Sequence, residues 1–148
     1  ATPEQALVIL GWYRARWTIE EFHKAWKVGC GAEARRSPDP DNLERQAVLL
    51  EFVATRVLQL RDMERASPEA PCTTILPILL WHVLWLRIEK KPLPASQPTV
   101  RWALQAIGRL AGWTNTKRGG RVGWSSLILG WQRLQDLAEG YALADGKT

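Results

Sequence analysis

The chain has 148 residues, 46% of them hydrophobic and 24% charged, the balance of a globular protein rather than a disordered one. That length suits one domain, or a large piece of one, with room for a buried core. A net charge of +5 and a pI near 9.6 point towards a polyanionic partner and away from an acidic scaffold.

Thr2, Pro3 and Gln5 spell a helix start: a Thr N-cap, Pro at the first helical position and Gln three residues after the cap. The spacing predicts a helix to about Val28, stopped by Gly29-Cys30-Gly31. Val8, Trp12, Ile19, Phe22 and Trp26 form an apolar face expected to pack on a core. Ser37 to Pro40 leads to a second start, with Asp41 as N-cap and Glu44 completing a capping box. Leu43, Ala47, Leu50, Ala54, Val57 and Leu58 then repeat every three or four residues, up to a stop before Ser67-Pro68. A third helix is predicted over Thr73 to Lys90, with Pro77 in or near its first turn. Its apolar stretch, Ile75 to Ile88, is about fourteen residues long, too short to span a bilayer, and no membrane partner is expected. Lys91 to Pro98 holds three prolines and reads as a linker. A fourth helix runs from about Pro98 to Ala111 and ends at Gly112.

Thr114 to Gly123 is a basic, Gly-rich loop containing Lys117, Arg118 and Arg121. The last helix, about Trp124 to Leu143, carries Leu127, Trp131, Leu134, Leu137, Ala138 and Tyr141 on one side. That side either packs on its own domain or pairs with a second copy. No strand pattern and no internal repeat interrupts the series, so the fold class is all-α with about five helices. Nine tryptophans suggest bulky helix packing, nucleobase contacts, or both. Cys30 and Cys72 lie far apart without CxxC spacing, which predicts a reduced, cytoplasmic protein with no structural zinc.

The first helix carries a second pattern. At about 100° per residue, Tyr13, Arg16, Glu20 and Lys27 fall within an arc of roughly 60°, with Trp17 and Lys24 close to the same edge. A phenol, a guanidinium, a carboxylate and an ammonium in one line suit gripping DNA phosphates beside a metal-seeking acid. Arg14, Arg35 and Arg36 add to this basic first quarter. Any one of these cations is also simply solvated surface. Glu20-x-x-His23 has the spacing of half a di-iron site, but Leu79 stands where the second half would need a Glu before His82. No Ser/His/Asp set, phosphate-cradling loop or dinucleotide fingerprint is present.

Tyr13-x-x-Arg16-x-x-x-Glu20-x-x-x-x-x-x-Lys27 resembles the Tyr-Arg-Glu-Lys signature of bacterial cut-and-paste DDE transposases of the IS-four group. So does the run Arg16-Trp17-Thr18-Ile19-Glu20-Glu21-Phe22-His23-Lys24-Ala25-Trp26-Lys27, with Gly31-Ala32-Glu33 and Pro40-Asp41-Asn42-Leu43-Glu44-Arg45. Later matches are Ala106-Ile107-Gly108-Arg109-Leu110, Lys117-Arg118, Gly123-Trp124-Ser125 and Gly130-Trp131. The resemblance covers nearly the whole chain and is weakest between Ser67 and Thr99.

The resemblance implies an RNase-H-like enzyme that cleaves transposon ends and transfers strands with two Mg2+ or Mn2+ ions held by two aspartates and a glutamate. Glu20 would be that catalytic, metal-binding glutamate. Tyr13, Arg16 and Lys27 would hold phosphates near a flipped base, Trp17 would wedge into the duplex, and Lys24 would stand beside them. Arg36 and Asn42 would touch DNA backbone, as would Lys117 and Arg118, and the C-terminal helix would form a homodimer. Residues 1–36 would then close the catalytic domain and 37–148 form the C-terminal helical region, with 124–145 the dimerisation candidate. The family places both aspartates upstream of the glutamate, whereas Asp39, Asp41, Asp62, Asp136 and Asp145 all follow Glu20. The expectation is therefore a C-terminal transposase piece of a bacterial cytoplasmic protein, inactive alone, that binds DNA and dimerises. Two other readings remain open: a stand-alone helical interaction protein that inhibits transposition, and a generic basic DNA-binding bundle.

Overall fold

The computed structural model describes residues 2–116, 120–144 and 146. Five α-helices follow one another: α1 (Pro3–Lys24), α2 (Pro40–Ala66), α3 (Ile78–Glu89), α4 (Val100–Leu110) and α5 (Trp124–Ala144). No strand occurs among the described residues; a lone antiparallel bridge joins Pro71 to Thr99. The all-α class read from the sequence is the class observed. Among the described residues, no helix is long and apolar enough to cross a membrane.

The α4–α5 crossing is the centre of the core. A Cβ added at Gly130 would meet the Ile107 carbonyl carbon at 2.8 Å, and one at Gly108 would meet Val122 Cγ1 at 2.6 Å. At Gly130 the two helices therefore touch backbone to backbone where a side chain cannot fit, while Gly108 makes room for the Val122 side chain just ahead of α5. Around this crossing, Leu84, Val100, Ala103, Ile107, Leu127 and Leu134 are fully or almost fully buried. α3 packs on both helices, and α2 lies across them through Ala54, Val57, Leu58 and Leu60. Arg56 of α2 donates to the Ile75 carbonyl at 2.5 Å, tying α2 to the segment ahead of α3.

The start of α1 is as the sequence spells it. Gln5 N–H donates to Thr2 Oγ1 at 3.3 Å and Thr2 N–H to Gln5 Oε1 at 3.0 Å, a complete capping box. At the far end the helix widens into a π turn, Ala25–Gly29, closed by Cys30 N–H to the Ala25 carbonyl at 2.9 Å. Gly31, at φ 63°, ends the run.

Three expectations need correction. The apolar face of α1 is not packed over most of its length: Val8, Trp12 and Ile19 are exposed, Trp12 by 72%. Only Phe22 and Trp26, near the anchored end, lie against the core, because the other helices meet α1 only beyond Glu20. The N-cap of α2 is Asp39, not Asp41: its Oδ1 accepts the Asp41 N–H at 3.0 Å and Pro40 takes the first helical position. The third helix begins at Ile78 rather than Thr73. Cys72–Thr74 is a separate 3-10 turn, and Pro77, which cannot donate to the preceding turn, becomes the N-cap of α3. Cys30 and Cys72 are both buried and unpaired. Burial raises the Cys30 thiol and pushes Cys72 up to about 11.

Candidate nucleic-acid interface

α1 remains helical past Glu20, so the period that aligns Tyr13, Arg16 and Glu20 is realised in space. These three and Trp17 line one shallow depression. Trp17 and Glu20 also belong to a larger groove shared with Glu21, His23, Lys24, Lys27, Val28, Arg61 and Trp124. The two depressions share Trp17 and Glu20, and between them they hold Tyr13, Arg16, Lys24 and, from the π turn, Lys27. Tyr13 is 71% exposed and Trp17 67%. Large aromatic planes facing solvent on a cationic edge are what base stacking needs.

The charges on this edge are lightly engaged. Arg16 Nη2 stands 3.9 Å from Glu20 Oε1, at the limit of an ion pair. Lys27 Nζ is 2.8 Å from Glu33 Oε1, a contact that raises its pKa above the ordinary lysine value through the hydrogen bond and then the charge of Glu33. The sequence treated Lys27 as a free cation, but it has a carboxylate partner from the turn that follows the π segment. Arg36 and Asn42 are exposed, and neither lines the two depressions. Lys117 and Arg118 lie outside the described residues, as does Asp145.

The end of α1 is fixed from two sides. Arg65 of α2 grips Glu21 with both guanidinium arms, at 2.5 and 2.7 Å, a bidentate charge-assisted pair. The Arg65 hydrogen bond holds the Glu21 carboxyl below the usual glutamate range, against an opposing push from partial burial. On the other side Gly29 is so close to α5 that an added Cβ would collide with Ile128 Cδ1. The π turn thus docks on α5 just where Trp124 enters the groove.

Sequence reasoning missed two groove residues. Arg61 lies with its guanidinium carbon 4.3 Å from the centre of the Trp124 ring, a cation–π contact. Its Nη1 is buried without a hydrogen-bond partner. Burial, then the nearby Arg65, lowers its pKa from the ordinary arginine value. The available signal was its spacing: Arg61 follows Ala54 by seven and Val57 by four, which puts a charge on the buried face of α2. Trp124 was assigned only as the start of α5.

A divalent cation needs about six oxygen ligands. Among the described residues, no three of His, Cys, Asp and Glu gather in a way that could hold a metal ion. Glu20 offers one carboxylate, and its neighbour Glu21 is committed to Arg65. These residues alone therefore do not fit Mg2+ or Mn2+; further oxygen ligands would have to join Glu20. A scan against models of known protein families finds no match to the chain.

Proposed function

We propose that this chain is the part of a bacterial DDE transposase of the IS-four group that carries the triad glutamate and the C-terminal helices. Its motif strings resemble the transposase of transposon Tn-five. In the intact enzyme the activity would be metal-dependent cleavage and strand transfer at transposon ends. Alone, this chain would bind DNA and not cut it, since no aspartate before Glu20 completes the triad. The observation that carries the reading is the clustering of the stripe: Tyr13, Arg16, Trp17, Glu20, Lys24 and, from the π turn, Lys27 line two depressions that share Trp17 and Glu20. A guanidinium and two ammonium groups suit backbone phosphates, and two exposed rings suit unstacked bases.

The reading also implies a homodimer, and the inhibitor alternative implies pairing with a full-length transposase, both through α5. Leu127, Trp131, Leu134 and Ala138 are buried in this chain's own core, so either partner would have to use the opposite face. There the helical period aligns Leu129, Asp136 and Leu143, two leucines separated by an acid, and no observation favours that pairing.

The test is in two parts. Anisotropy titrations of labelled duplex across salt should give a log–log slope that falls by about 1 for Arg16→Gln or Lys24→Gln; unchanged slopes would remove DNA from the reading. In a chain that also carries both aspartates, Glu20→Ala should abolish Mg2+-dependent cleavage of transposon ends. Full cleavage by that variant would end the transposase assignment while leaving DNA binding intact.

A further inference from the structure

Arg61 also borders a second depression. This cleft, between α2, α4 and the segment leading into α5, holds about 240 Å³ and is walled by Arg61, Glu64, Arg101, Gln105, Trp113 and Arg121, among others. Pockets for drug-sized molecules run from ~300 to 1,000 Å³, so the space suits a small ligand.

The wall is rich in donors. Three guanidiniums face one carboxylate, and Gln105 and Asn115 add amides. Among the described residues, neither Arg61 Nη1 nor Trp113 Nε1, both buried, has a hydrogen-bond partner. A buried N–H with no acceptor is destabilising, and both groups can only donate. An occupant that pairs with either group must therefore bring an acceptor. The surrounding charge makes it an anion.

The acids already present are weak competitors. Glu64 Oε2 stands 3.4 Å from Arg121 Nη2, and Glu69 Oε1 2.9 Å from Arg101 Nη1, with the Arg121 and Arg101 side chains 66% and 51% exposed. Ion pairs this exposed contribute little, so both arginines can turn to a better acceptor at little cost. A carboxylate ligand would bring only what Glu64 already brings. A phosphate brings several oxygens in a tetrahedral array and matches guanidinium forks bidentately.

We propose that the cleft bounded by Arg61, Arg101, Trp113 and Arg121 is a phosphate-binding site, taking either free phosphate or one phosphodiester of a nucleic-acid strand. The inference stands on the cleft alone and does not need the transposase reading. Because Arg61 also lines the α1 groove, a strand held on the stripe would have a second anchor within reach of the same side chain.

The Trp113 indole N–H gives a resolvable proton signal for the test in the 148-residue chain. Sodium phosphate should move that signal saturably, while sodium chloride at equal ionic strength should not. Arg121→Gln should weaken phosphate binding at least tenfold, whereas Arg87→Gln, on the exposed surface of α3, should leave it unchanged. The other tryptophan signals would show that the Arg121 variant keeps its fold. A short DNA duplex that moves the Trp113 signal at lower concentration than free phosphate identifies the ligand as a strand phosphodiester. A response to free phosphate only identifies a small-molecule site. Equal responses to phosphate and chloride, or undiminished binding by Arg121→Gln, would overturn the proposal.

Discussion

Leu134→Ala tests whether the apolar face of α5 belongs to this chain's own core. Leu134 is fully buried, and of its neighbours one turn away the two at i±4, Gly130 and Ala138, are both small. Gly130 already presses against the backbone of Ile107, so α5 cannot slide inward to fill the space left by a lost isobutyl group. Leu-to-Ala changes in cores cost about 2–5 kcal/mol, more where the site cannot collapse; this geometry argues for about 3–4. That is a large share of the ~5–15 kcal/mol that holds a typical domain together. Urea unfolding followed by tryptophan fluorescence, at two protein concentrations, measures it. The expected result is a lower midpoint with the same slope, independent of concentration. A loss under about 1 kcal/mol, or a midpoint that climbs with protein concentration in the parent chain and not in the variant, would place Leu134 at an interface and refute the reasoning.

Gly130→Ala should destabilise by about 2 kcal/mol, since forcing two backbones apart costs up to ~3 and the gain in helix propensity returns only ~1. Gly140→Ala, with open space around the added methyl, should instead stabilise by about 0.5–1 kcal/mol in the same unfolding assay. Glu21 has its pKa lowered by Arg65, so its contribution is present above the ordinary glutamate range and disappears as pH falls through the folded value. Glu21→Gln should therefore cost about 1 kcal/mol at neutral pH, allowing for the partial exposure of Arg65, and nothing well below pH ~4; urea midpoints of both proteins across pH will show whether the gap closes. Lys90 ends α3 at φ 54°, a left-handed position that suits glycine, so Lys90→Gly should gain about 1 kcal/mol and raise the Tm by ~2–4 °C in a thermal scan.

Local signals with a single physical solution were legible in the sequence. The Thr2 cap, the stop before Ser67, the fourth helix and the Trp124 start each follow from a cap, a proline or a glycine with no rival nearby. The start of α2 was misplaced: the Asp41–Glu44 capping box drew the N-cap to Asp41, whereas Pro40, with its fixed φ and no N–H to satisfy, takes the first helical position and leaves Asp39 as the cap. Tertiary features were not legible. Nothing in the spelling of α1 says that its packing partners begin only beyond Glu20, leaving Trp12 and Trp17 exposed while Trp81, Trp124 and Trp131 are buried. The Glu21–Arg65 clamp joins residues 44 apart, a pairing that helical periodicity cannot express. Arg61 could have been found, because a guanidinium in the register of Ala54 and Val57 must reach a partner or a cavity.

Glu20 and Glu21 are adjacent and chemically identical, yet the fold gives them opposite properties. Neighbouring helical residues point about 100° apart, so one faces α2 and the other the open edge. Glu21 is held by two short bonds from Arg65, with its side chain only 15% exposed; to recruit it for chemistry would release the end of α1. Glu20 has only Arg16 at 3.9 Å, and the pair is exposed, an attraction of about 0–1 kcal/mol that a phosphate or a cation could outbid. The Lys27–Glu33 pair is similarly exposed and exchangeable. From Tyr13 to Lys24, where α1 ends, the stripe rises about 16 Å, the length of roughly five phosphates along one strand at ~3.4 Å each. A rigid helix clamped at one end, with its exchangeable charges along the free edge, can present that whole length in fixed register. The clamp at Glu21 is what allows Glu20, one residue earlier, to remain uncommitted.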